Sequence, residues 1–285
     1  MKKGEVIDKI LAYHPQLPGY VGCDDWKWGG PEGECTGVVT ALSPTVEVIR
    51  KTAALGANLL VVHEPTFYTS LDEPGWFEDF PNSIYEEKAR LLSDHGISVW
   101  RDHDHMHAHQ PDSIFTGVLK YLGWLEDVRV EVSQSSPFSH FLVEIPETTL
   151  GELCRKLKET LALNGLRYVG DPAAKVRRVA LVGHLYPMSG EVRRRDGKPM
   201  EYSVEVIDTL ERGADVILPG EVIDWTVLSY VRDAVQLGRN KAVINLGHFN
   251  WEELGMKYAR EWIAQLVEDQ VPVTYVPSGD LYSFL

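Results

Sequence analysis

Three separated stretches of this chain gather imidazole and carboxylate groups, the side chains that bind divalent transition metals. The first is the adjacent pair His63-Glu64. The second is the run Arg101-Asp102-His103-Asp104-His105-Met106-His107-Ala108-His109. The third is His248 with Glu252, four residues apart and so on one face of a helix. Read as extended chain, the second run would point His103, His105, His107 and His109 to one side, with neighbours about 7 Å apart. Two of them could then share one ion and a third could reach another, but four could not serve a single ion. A solvated i,i+4 pair at a helix start is the plainer alternative for His248 and Glu252, because Glu is favoured there on electrostatic grounds. Their position beyond a strand end, like that of His63-Glu64, favours the metal reading.

The elements that must position these residues are legible around them. Asn58-Leu59-Leu60-Val61-Val62 reads as a buried strand that delivers His63 and Glu64, and Pro65 stops the ladder. Ligands of open α/β sheets bind beyond the carboxyl ends of such strands. Residues 4–14 have helical apolar spacing at Val6, Ile7, Ile10 and Leu11. The stretch Gly22 to Glu34 reads as a long loop, with Trp26 and Trp28 as buried anchors or as cover for a site. A strand over Thr36 to Leu42 leads to a helix capped by Thr45, carrying Val46, Ile49, Ala53 and Ala54 inward and ending at Gly56. After an aromatic loop, a capping box from Ser83 to Glu86 opens a helix that stops at Gly96. Ile97 to Trp100 is the strand that delivers the histidine run, and Asp112 caps a helix reaching about Leu122.

From Val128 to Pro172 the pattern is strand (Phe141 to Ile145), helix (Thr149 to Leu163, with Thr149 and Glu152 as a capping box) and strand (Leu166 to Val169). Val176 to Val182 begins a second α/β half. Ala242 to Leu246 is its last buried strand, and the helix that follows buries Trp251, Leu254, Tyr258 and Trp262. The halves echo one another. Val46-Glu47-Val48-Ile49 with Gly56-Ala57-Asn58 recurs as Val204-Glu205-Val206-Ile207 with Gly213-Ala214-Asp215, and the strands end at His63-Glu64 and Gly220-Glu221. The pattern predicts an α/β protein of two related lobes, 1–127 and 128–285, packed together with a site in the cleft between them.

Composition narrows the partners. The 285 residues are 44% hydrophobic and 25% charged, enough for a sizeable core. A formal charge of -14 argues against general nucleic-acid binding. The one basic run, Arg193-Arg194-Arg195 with Lys198, lies in a Gly- and Pro-containing loop and reads as solvated. No apolar run is long enough for a membrane helix and no signal core follows the basic N-terminus, so a cytoplasmic location is expected. Cys23, Cys35 and Cys154 are odd in number and widely spaced, which predicts free thiols.

With these motifs in order, the chain resembles the Nif-three-like family, widely labelled GTP cyclohydrolase 1 type 2-like. The family's first motif, a Gly-Ala-Asp strand ending in His-His-Pro, is similar to Gly56-Ala57-Asn58 and His63-Glu64-Pro65. Its middle motif, His-Thr-Asn-Leu-Asp, aligns with His103-Asp104-His105-Met106-His107. Its Gly-Glu-Val matches Gly220-Glu221-Val222, and its last motif matches Gly247, His248 and Glu252. The resemblance implies a dinuclear metal centre between two α/β lobes and a ring-shaped hexamer. Carried over by position, the ligands are His63, Glu64, His107, His248 and Glu252, holding two divalent ions of Zn, Mn, Fe or Ni. Glu64 stands where the family has a second His, and His107 where it has a bridging Asp, so the exchange leaves three imidazoles and two carboxylates. Asp104 or His105 is the alternative occupant of the bridging position. Gly183-His184-Leu185-Tyr186-Pro187 departs from the family's small Gly/Ser-rich turn, and His184 reads equally as a cleft residue or a structural histidine.

Two divalent ions with two carboxylates retain positive charge, which favours hydroxide or an anionic ligand such as phosphate. Metal-dependent hydrolysis of a nucleotide-like or phosphorylated small molecule is the expected reaction, with His103, His105 and Glu221 as proton-transfer groups. The rival reading is a non-catalytic, oligomeric metal-binding scaffold or regulatory interaction protein. An amidohydrolase-like barrel would need its His-x-His pair on the first strand, and this pair comes a third of the way along.

Overall fold

The computed structural model describes the chain except residues 73–76, 78–79, 134–138, 186–195 and 199–200. The basic run Arg193 to Arg195, with Tyr186 and Pro187, falls outside the described residues. Contacts divide the chain into two compact units, Met1–Gly117 with Glu253–Gly279, and Val118–Glu252 with Asp280–Leu285. A division at 127/128 follows the chain continuously; the contact units differ from it because the segment 253–279 returns to the first unit, where β11 (Val273–Tyr275) pairs with β2 (Val38–Ala41).

In the first unit the strand order is β1-β4-β3-β2-β11, with β1 at Asp25–Trp28, β3 at Leu59–Val62 and β4 at Ser98–Arg101. The strands β11, β2, β3 and β4 run parallel, and β1 lies antiparallel on β4. All four residues of β3 are buried and apolar, a continuous apolar run, and those of β2 and β4 are buried too, with Thr40, Ser98 and Arg101 among them. The first helix, α1 (Lys3–Tyr13), buries Val6, Ile7 and Ile10. The helix α2 (Val46–Ala54) starts at Thr45, whose Oγ1 accepts from Val48 N at 3.2 Å, and it buries Val48, Ile49 and Thr52. Its inward face is thus turned from the expected one, leaving Val46 half-buried and Ala54 exposed. Gly56 ends it at φ 70°, where a side chain would be strained.

Two local readings are corrected. The stretch Gly22 to Glu34 is not all loop, because β1 forms within it. Its Trp26 meets Trp100 edge-on at 5.4 Å and Trp28 meets Phe67 at 5.7 Å, so both rings are anchored. The helix α3 (Ser83–Asp94) is capped by Asn82, which accepts from Tyr85 N at 3.2 Å, rather than by Ser83.

The second unit's sheet has the order β5-β6-β8-β9-β10-β7. Here β5 is Val128–Val132, β6 Ser139–Thr149, β7 Arg167–Val169, β8 Lys175–Val182, β9 Val216–Pro219 and β10 Ala242–Asn245. The strands β8, β9 and β10 are parallel, while β5, β6 and β7 join antiparallel. The edge strand β5 escaped the sequence pattern because its valines alternate onto an exposed face. The expected capping box is present at α6 (Leu150–Thr160): Glu152 N donates to Thr149 Oγ1 at 3.2 Å, and Thr149 N donates to Glu152 Oε2 at 3.0 Å. The helix α7 (Tyr202–Glu211) leads into β9 as α2 leads into β3, and each follows a parallel neighbour strand. The βαβ echo is therefore structural. The remaining α-helices among the described residues are α4 (Asp104–Ala108), α5 (Ser113–Leu122), α8 (Val227–Gln236) and α9 (His248–Leu266). The unit boundaries fall within α5 and α9. No described helix is long and apolar enough to cross a membrane.

Candidate metal centre

In the first unit, β3 ends in His63, which is fully buried. The His63 and Glu64 amides both donate to Leu42 O, at 3.0 and 2.8 Å. Arg101, also buried, donates from Nε to His63 O at 2.9 Å and from Nη1 to Ser70 O at 2.5 Å, clamping the chain as it leaves the strand. Glu64 is half-buried and brings a carboxylate oxygen within 4.8 Å of a His63 ring nitrogen.

The histidine run is helical, not extended, and this corrects the one-sided arrangement expected for it. The cause is Asp24. Its Oδ1 accepts from the amides of His103 and Asp104 at 2.8 and 2.9 Å, and its Oδ2 accepts from His105 N at 2.9 Å. These are the orphan amides at the start of α4, and a buried carboxylate from outside the helix satisfies three of them. Helical spacing then pairs His103 with His107 and sends the other two histidines elsewhere. His105 Nδ1 lies 2.7 Å from Asp24 Oδ2. His109 stacks on Tyr13 at 4.6 Å, and Tyr13 stacks on Trp262 at 4.7 Å.

Three rings therefore meet. The centroids of His63 and His103 are 4.4 Å apart, those of His63 and His107 5.0 Å, and those of His103 and His107 4.9 Å. One nitrogen from each lies within 4.8 Å of the others. Whether such a group fits a cation depends on which nitrogen carries the proton. His63 Nδ1 is 3.0 Å from Asp102 O, His103 Nδ1 is 2.8 Å from Asp104 Oδ1 and His107 Nδ1 is 2.8 Å from Asp112 Oδ2. Oxygens of these kinds accept, so each Nδ1 is assigned as the donor and each Nε2 keeps its lone pair. This is the oriented state of metal-binding histidines, and the donor set fits a transition-metal ion. The neighbouring group of Asp24, Asp102 and His105 also brings ligand atoms within 4.8 Å. Asp24 fits a cation poorly, since its oxygens already accept three amides and an imidazole.

Hydrogen bonding to His103 holds the Asp104 carboxyl well below its ordinary range, with Tyr20 adding a second donor at 2.7 Å. Burial pushes the Cys23 thiol up to about 12, so it remains protonated beside this cluster. All three cysteines are free and buried.

The second unit gathers a further set of imidazole and carboxylate groups. His248, the first residue of α9, places Nε2 2.7 Å from Glu252 Oε2 and Nδ1 3.1 Å from Glu221 Oε1. Glu252 is buried while the Glu221 side chain is 55% exposed, which leaves only Glu221 in ready exchange with solvent. The bond to His248 holds the Glu221 carboxyl below its ordinary range. The His184 ring lies 4.5 Å from that of His248. Glu221 N donates to His184 Nδ1 at 2.9 Å, so His184 carries its proton on Nε2, which faces Glu252 Oε1 at 3.9 Å. That separation is too long for a hydrogen bond, and His184, His248 and Glu252 each bring one ligand atom within 4.8 Å of the others. Gly220 makes room for the His184 ring, as a Cβ there would come within 2.4 Å of His184 Nδ1.

Fold and site together define a two-sheet α/β protein with histidine and carboxylate clusters suited to metal ions. The chain belongs to the DUF34/NIF3 family, whose model, described as Duf34/NIF3 (NGG1p interacting factor 3), matches residues 26–184, more than half its length. It is 24% identical over 231 residues to a GTP cyclohydrolase 1 type 2 homolog of Clostridium perfringens, covering 79% of this chain and 76% of that protein. Its fold is similar to that of Staphylococcus aureus protein SA1388, with a TM-score of 0.71 at 16% identity over 100% of this chain and 99% of that one. A Bacillus cereus protein related to NIF3 gives a TM-score of 0.71 at 15% identity, with the same coverage.

Among the residues expected at the site, His63, His103 and His107 come together in the first unit, and His248, Glu252 and Glu221 in the second. His105 turns away to Asp24. The orienting residues Asp24, Asp112 and the Asp102 carbonyl were missed. Only the cap role of Asp112 carried a sequence signal.

Proposed function

We propose that this chain is a metal-dependent hydrolase acting on a nucleotide-like or phosphorylated small molecule. Its ligands are His63, Glu64, His107, His248 and Glu252, for two divalent ions of Zn, Mn, Fe or Ni, and His103 is a further nitrogen donor. The observation that carries the reading is the set of three imidazoles whose Nδ1 hydrogens are all engaged by oxygen, at 2.8 to 3.0 Å. When bound, such ions supply Lewis acidity and a water of lowered pKa.

The chain's own groups divide the remaining work. Glu221 faces solvent and His248, and serves as the proton-transfer group. His184, whose Nε2 lies 3.9 Å from Glu252 Oε1, adds an imidazole beside that carboxylate. His105, tied to Asp24, is a support for α4 rather than a proton carrier. Four positive charges against Glu64 and Glu252 favour an anionic substrate. The relatives named GTP cyclohydrolase 1 type 2 homolog make a nucleotide the first compound to try. The dinuclear grouping and a ring of six copies rest on the family resemblance. A sedimentation mass near 32.1 kDa, that of one chain, would count against the ring.

The test is turnover by the metal-loaded protein on a panel of phosphoesters and nucleotides. Activity that needs Zn, Mn, Fe or Ni and falls at least about a hundredfold in Glu221→Gln, in the range of a lost proton-transfer group, supports the reading. Full metal content with no turnover on any compound would point instead to a metal-binding scaffold.

A further inference from the structure

In the second unit, β7, β10 and α8 border a cavity of about 310 Å³, the size of a small-molecule site. Its floor is apolar. Val169 and Val243 are cross-strand partners there, and Leu228 of α8 joins them. Two residues along the same ladder, Arg167 pairs with Asn245. Directly opposed residues share a face, and alternate residues return to it, so this pair lies on the face of the two valines. Arg232 stands one helical turn beyond Leu228 on α8 and lines the cavity too.

The polar groups here are arranged for an anion. Arg167 and Arg232 are exposed, and neither has an acidic partner among the described residues. Asn245 is buried, and its Oδ1 accepts from Gly247 N at 2.8 Å. That bond fixes the amide's orientation, leaving its Nδ2 hydrogens as donors with no partner among the described residues. Among the described residues, Asp224 is the only acidic one lining the cavity. Two guanidinium groups against one carboxylate make this a positive spot on a chain of net charge -14. Two guanidinium forks and an amide offer about six N–H groups, more than the about four acceptor sites of a carboxylate and in keeping with the three terminal oxygens of a phosphate.

We infer that this cavity binds the phosphate of a phosphomonoester whose flat, apolar body, about the size of a nucleoside, lies on the valine and leucine floor. The inference rests on the hydrolase reading and names the substrate class for that site. The β9–α8 connection supplies both Glu221 and Asp224, and Asn245 ends β10 just before His248 opens α9. The anion pocket and the proton-transfer group therefore share their backbone supports.

Binding, not turnover, tests this. The full chain is titrated calorimetrically with the four common ribonucleoside 5′-monophosphates, the matching uncharged nucleosides, and inorganic phosphate. At least one monophosphate should bind about tenfold or more tighter than its nucleoside, as charge-assisted bonds predict. Arg167→Met and Arg232→Met should each remove about tenfold of that affinity, with nucleoside binding and metal content unchanged. His248→Ala should keep the arginine-dependent difference. Equal monophosphate affinity in the Arg167→Met/Arg232→Met double variant would overturn the proposal. So would loss of the difference in His248→Ala, which would move the anion to the metals, and so would no monophosphate binding at millimolar concentration. Arginine-dependent binding without turnover would sink the hydrolase reading and leave the pocket standing.

Discussion

The carboxylate of Asp112 serves two elements at once. Its Oδ1 accepts from Phe115 N at 3.0 Å, capping α5, and its Oδ2 faces His107 Nδ1 at 2.8 Å. Where the resembled family has a bridging Asp, this chain has His107, and Asp112 behind it is matched to an imidazole. His107→Asp would set two carboxylates against each other in a buried site. The expected cost is about 1–3 kcal/mol for the lost bond to a buried charged group, read by urea unfolding, with a larger loss of bound metal than Glu64→His causes. Adding Asp112→Asn should recover part of both. No recovery would mean that Asp112 does not act through residue 107. Lys88 gives a second residue-level expectation. It is buried, donates to Thr66 O at 2.5 Å, and burial pushes its pKa down to about 8. Between about 8 and its ordinary 10.5 the unfolded chain binds the extra proton, so stability rises with pH across that window. Relative to Lys88→Met, the wild-type chain should gain up to about 3 kcal/mol between pH 7 and 10.5. A pH-independent difference in unfolding free energy would contradict this.

Among the elements, α4 shows what the sequence could and could not disclose. Alternate histidines fit an extended reading, and His103 with His107 fit a helical one; the run itself does not choose. The choice comes from Asp24, remote in sequence, whose oxygens take the first three amides of the turn. By contrast β3, the Thr45 cap and the Thr149/Glu152 box were legible because each signal lies within a few residues of the element it governs. The strands β1 and β5 were not, since four or five residues with mixed burial resemble loop until a neighbouring strand pairs with them. The donor state of His184 also depends on a contact from another segment, Glu221 N. Asp24→Ala should therefore unravel α4 and cost about 1–3 kcal/mol for its stranded, part-buried amides. It should also lower metal content, although Asp24 belongs to the support and not to the three-histidine group. Circular dichroism cannot isolate so short a helix, so the readout is hydrogen exchange at His103, Asp104 and His105. Protection unchanged from wild type would remove Asp24 as the cause of the turn.

For the whole molecule, two compact units each carry a largely or partly parallel sheet whose strand ends lead into histidine and carboxylate residues. The echo between Gly56-Ala57-Asn58 and Gly213-Ala214-Asp215 placed the parallel pairs, while the return of β11 to the first sheet carried no sequence signal. The central claim is that both clusters bind metal. Elemental analysis of metal per chain tests it most directly, on protein reconstituted with Zn or Mn and freed of excess ion. Wild type should hold two ions. His63→Ala and His248→Ala should each fall to about one or fewer, and Val204→Ala, on the exposed side of α7, should keep two. Two ions retained in both histidine variants, or none in the wild type, would contradict the account.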